Sequence, residues 1–150
     1  MRVSGVKKIV VLTFLAFAFL SHAAAAEPPR FAVVVNAKNT AAKADHALVR
    51  LLYLKDLSEW PDGTPAKPIG RPDESAEHHA FLDQVLKLKP WRLAEHWIAL
   101  KQKNGSGKVR AVSKDNQVAM LVNRYPGAFG VLPLEVAEND SSLRILLKLH

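Results

Sequence analysis

The sequence predicts an α/β domain, a layered sheet with helices on its faces. Three observations predict it. Segments of strand character alternate with segments of helical periodicity along most of the chain. The first of them, Phe31–Asn36 (FAVVVN), is an unbroken apolar run with three consecutive Val, the pattern of a central strand covered on both faces. Finally, about 124 residues follow an N-terminal leader, enough for one self-sufficient core, and the chain has no cysteine with which to staple a smaller one.

The leader is read from residues 1–26. Arg2, Lys7 and Lys8 give a positive start, Ile9–Leu20 is apolar apart from Thr13, and Ala23–Ala26 supplies small residues for cleavage. A dozen apolar residues are too few to span a bilayer comfortably. The expected product is an exported, periplasmic chain of residues 27–150. Removing the leader takes three basic residues and lowers the formal charge from +7 to +4. That mild excess does not point to nucleic acid. The absence of Cys excludes thiol catalysis, Cys-based zinc sites and a lipoprotein anchor.

After the first strand, Asn39–Thr40 is placed to cap a helix. Ala44, Ala47, Leu48, Leu51 and Leu52 then recur at helical spacing through Leu54. Trp60–Gly63 (WPDG) is a turn, and the proline-rich stretch beyond it leaves room for a short strand at 68–71. A helix is expected over 75–88. Pro90 opens another that ends at Asn104–Gly107. Val109–Val112 reads as a strand, and Ser113 as the cap of a helix through Val122. Pro126–Gly127 turns the chain into a strand at 128–132. Leu143–Leu149 (LRILLKL) forms the last strand.

The segment IGRPDESAEH, residues 69–78, carries the chemistry. A strand delivers Arg71, and Ser75 sits four positions on at a helix start. Unpaired N–H groups and the helix dipole there favour negative charge, and Arg71 adds a fork of donors. The plainer alternative is that Ser75 only caps the helix and Arg71 only pairs with Asp73 or Glu74. His78 and His79 are adjacent, so they point about 100° apart and make a poor metal pair. Gly105–Lys108 is no phosphate loop, because Gln102 and Val109 stand where its Gly and Ser/Thr would be. Trp91 and Trp97 read as packing residues. No nucleophile motif supports hydrolysis, and no cofactor is implied.

Taken in order, FAVVVNAKN, LVRLLYLKDLSEWPDG, KPIGRPDES, AFLDQVL, Trp97 and PGAFGVLP resemble the phosphate-transport family of periplasmic substrate-binding proteins, in a small single-lobe form. The resemblance implies a type 2 periplasmic-binding-protein-like lobe with a central mixed sheet flanked by helices. It also implies a non-enzymatic function: binding a small oxyanion such as phosphate for an ABC transporter or a sensor. In that family an Arg is followed, after three intervening residues, by Ser-Gly-Thr at a helix N-terminus. Arg71 and Ser75 match. Ala76 stands at the Gly and keeps its N–H. Glu77 stands at the Thr, replacing a hydroxyl donor with a carboxylate. Asn36 and Thr40, after the first strand, are expected on the same edge. The family's full-length members close two lobes on the ligand, whereas this chain has length for one. A homodimer or a membrane transporter or sensor could supply the other wall. The alternative is a periplasmic interaction module that has lost its ligand.

Overall fold

A computed structural model describes residues 25–40 and 44–150. The predicted leader therefore lies outside the described residues, apart from Ala25 and Ala26. Among the described residues no helix is long and apolar enough to cross a membrane.

Four strands form one mixed sheet: β1 (Phe31–Asn36), β2 (Lys67–Pro68), β3 (Ala128–Pro133) and β4 (Leu143–Leu149), in the order β2-β3-β1-β4. β1 runs antiparallel to both neighbours, with Val33 opposite Val131 on one side and Leu147 on the other. β2 runs parallel to β3. The strand expected at 109–112 is reduced to a single parallel bridge between Gly70 and Ala111. That bridge still lays the segment beside the end of β2. The last strand, β4, joins this sheet as the edge beside β1.

The helices are α1 (His46–Tyr53), α2 (Ala76–Phe81), α3 (Pro90–Asn104), α4 (Asp115–Arg124) and α5 (Leu134–Glu138). α2 runs directly into a π turn at Leu82–Leu86. Period-two alternation in β1 sorts the core into two layers. Val33 and Val35 face α1, α2 and α3, where they meet Leu52, Phe81, Leu86 and Trp97. Ala32 and Val34 face α4 and α5, packing with Val118, Val122 and Ala137. Ala32–Val35 are wholly buried, which is why this stretch is continuously apolar.

Local capping departs from expectation in two places. Asp45, not Asn39 or Thr40, caps α1 by accepting from the Leu48 N–H at 2.9 Å. Thr40 instead donates to Asp62 at 2.7 Å. Ser113 does not cap α4, whose N-cap is Lys114 with no side-chain bond. Periodicity missed the five-residue α5, because about one and a half turns are too short to show it.

Candidate functional site

The parallel strands set the location. In α/β sheets ligands bind beyond the carboxyl ends of such strands. β2 ends at Pro68, and the chain continues through Ile69 and Gly70 to Arg71 at that edge. Gly70 donates to the Arg110 carbonyl and accepts from the Val112 N–H, both at 2.9 Å. A side chain at Gly70 would press on the Arg110 carbonyl, so glycine lets the two segments close up. Arg71 is thereby driven inward and is only 5% exposed.

Its Nη2 donates to Asp115 Oδ1 at 2.6 Å and to Glu77 Oε1 at 3.3 Å. The two acids lie in the first turns of α4 and α2, so two helix N-termini converge on this guanidinium. Each terminus contributes roughly half a positive charge. The dipoles and Arg71 together thus about balance the two carboxylates. Nε and Nη1 of Arg71 are buried with no hydrogen-bond partner among the described residues. Such groups are rare in native proteins, because each costs its lost hydration.

Ser75 is the N-cap of α2. Its Oγ accepts from the His78 N–H at 3.2 Å and donates to the Pro72 carbonyl at 2.7 Å. Both capacities are thus engaged locally. Ala76 and Glu77 occupy the first turn, where backbone N–H groups point out of the helix end.

Arg71 and Glu77 therefore meet, and Ser75 and Ala76 precede Glu77 at the same helix start. Asn36 and Thr40 do not join them. The Asn36 side chain donates to the carbonyls of Val122 and Asn123, at the far end of α4 from Asp115. Eight residues of helix separate the two ends, about 12 Å. The reason is strand direction. β1 runs antiparallel to β2 and β3, so its carboxyl end lies at their amino ends. Sequence reasoning took every strand end to share one edge and missed Asp115 as the partner of Arg71. Only its place in a helix first turn hinted at a role.

Beside Arg71, Lys108 bridges to Asp73 at 2.7 and 2.8 Å. The Lys108 bond holds the Asp73 carboxyl below its ordinary pKa. His78 is buried with Nε2 3.8 Å from Asp73, whereas His79 is exposed. Burial pushes the His78 pKa down, against the pull of Asp73. Burial, reinforced by Asp73, likewise raises that of Tyr53.

The sequence matches no family profile and no curated protein. Solved structures do match the fold. One is a phosphate ABC transporter substrate-binding protein, so described provisionally, from Clostridium perfringens with bound phosphate. It has TM-score 0.60 and 15% identity over 79% of this chain and 44% of that one. An ABC-type phosphate transport receptor from Vibrio cholerae gives TM-score 0.58 and 15% identity, over 79% and 45% of the two chains. A possible phosphate binding protein from Planctomyces limnophilus gives TM-score 0.58 and 24% identity, over 79% and 40%. This chain spans less than half the length of each. Its mixed sheet with flanking helices is the fold of a single lobe of that architecture.

Proposed function

We propose that this chain is a non-enzymatic, exported binding lobe that receives a small oxyanion, such as phosphate, on Arg71. One observation carries this reading: Nε and Nη1 of Arg71 are enclosed and unpartnered at the carboxyl end of β2. A tetrahedral oxyanion offers the acceptors such a pair lacks. The phosphate-binding neighbours support the same ligand class, and an ABC transporter or sensor in the membrane would be its recipient. Glu77 and Asp115 hold Nη2 in the unliganded lobe and compete with the anion, so affinity is modest. A second copy of the chain, or a membrane partner, would complete the wall that full-length binders supply with another lobe.

A second reading rests on those same acids. With Nη2 already on two carboxylates and the Ser75 hydroxyl on Pro72, Arg71 pins α2 to α4. The lobe is then an interaction module for a membrane sensor or transporter. Phosphate titration followed through the Arg71 Nε–H resonance separates the two readings. Anion binding predicts a saturable shift of that signal, made tighter by Glu77→Thr. No shift in the parent or in Glu77→Thr would leave only the interaction module.

A further inference from the structure

Positive charge is concentrated on one stretch of the molecule. Residues 87–114 hold eight Lys or Arg and one acid, Glu95, while the other described residues set nine Lys or Arg against thirteen Asp or Glu. α3 lies at the centre of this stretch and packs inward through Leu93 and Trp97. Its outer side is not simply polar. At ~100° per residue, Trp91, Ala94, Ile98 and Lys101 fall within about 80° of one another. All four are exposed, Trp91 by 54% and Ile98 by 60%. Lys87, Lys89 and Arg92 lie at one end of the stripe, Lys101 and Lys103 at the other. The Arg92 guanidinium sits 4.0 Å above the Trp91 ring and pairs with Glu95 at 3.2 Å. A cleft of about 300 Å³ between α2 and α3, lined by Leu82, Leu93 and Trp97, continues the apolar surface inward.

We propose that the outer face of α3 docks on an anionic lipid bilayer. Trp91 and Ile98 enter the headgroup boundary, and the flanking Lys and Arg meet lipid phosphates. A helix lying in the membrane plane binds in this way, through an apolar stripe flanked by cations. One feature favours a bilayer over an acidic protein: four of the five flanking cations are Lys, which protein interfaces deplete. Tryptophan is compatible with headgroup depth, where it and Tyr are enriched. The inference does not depend on Arg71, which is 5% exposed and so takes no part in a surface contact.

Vesicle cosedimentation tests it with residues 25–150, which contain both apolar clusters and every described element of the fold. Binding is expected to phosphatidylcholine vesicles containing phosphatidylglycerol, not to phosphatidylcholine alone, and it should fall as salt rises. Tryptophan emission should shift to the blue on binding. The shift would come from Trp91, because Trp60 and Trp97 are already buried. The double variant Trp91→Ser, Ile98→Ser should weaken binding roughly tenfold or more. Replacing Lys87, Lys89, Arg92, Lys101 and Lys103 by Gln should abolish it. Arg71→Ala should bind as the parent does. All substituted α3-face residues are exposed, and near-UV circular dichroism checks that each variant is folded. Failure to bind anionic vesicles, equal binding to neutral ones, or undiminished binding by both multiple variants would overturn the proposal.

Discussion

Arg71 is under opposing demands at the scale of single residues. One of its nitrogens is shared by two carboxylates, and the other two are enclosed without a partner. Asp115→Asn should weaken the grip on Nη2 and raise anion affinity, at a stability cost of about 1–3 kcal/mol, measured by urea unfolding. His78 sets a separate, pH-dependent term. Its pKa is depressed in the folded lobe, so the unfolded chain takes up the proton more readily. Stability is therefore full above the unfolded value of ~6.5 and is lost as pH falls below it. Asp73, also depressed, adds its loss only below ~3.9. The urea midpoint should thus drop between pH 7 and pH 5, and His78→Gln should flatten that slope. An unchanged slope in the variant would remove His78 from this role.

Elements place these residues, and two junctions matter most. Gly127 in the turn before β3 accepts from the Trp60 indole N–H at 2.9 Å and from the Lys67 N–H at 2.9 Å. A side chain there would collide with the Pro65 carbonyl. Gly127→Ala is expected to cost about 1–3 kcal/mol through forced backbone movement, read from thermal unfolding. Asn36 ties the end of β1 to the last carbonyls of α4. Asn36→Ala should cost about 1–3 kcal/mol and leave any anion response intact, because that end of α4 faces away from Arg71. A lost anion response in the folded variant would contradict the placement of the two ends. The four strands and most helices were readable from periodicity and from Gly and Pro punctuation, although 109–112 was over-read as a strand. Ser75 as the cap of α2 was readable too, whereas the cap of α1 was not, since Asp45 and Thr40 each offered an oxygen and tertiary packing chose between them. The direction of β1 was not readable either. An apolar run fixes that a strand is buried, not which way it lies against its neighbours.

At the scale of the whole molecule, the described residues form a sheet with a core layer on each face and amount to one lobe. The order of strands and helices made that lobe visible, since alternation survives low identity. The Arg71–Asp115 pair did not show in the sequence, because its members lie 44 positions apart and meet only through the return of the chain. The segregation of charge onto 87–114 was diluted by a whole-chain average. The claim that one lobe suffices is tested most directly by its global stability with and without phosphate. Ligand at 100 times Kd adds about 2.7 kcal/mol to a folded protein, which should raise the melting temperature of residues 25–150 by several degrees. The account predicts that rise in the parent and its loss in Arg71→Ala. A parent that melts at the same temperature in saturating phosphate, or an Arg71→Ala variant that still responds, would contradict it.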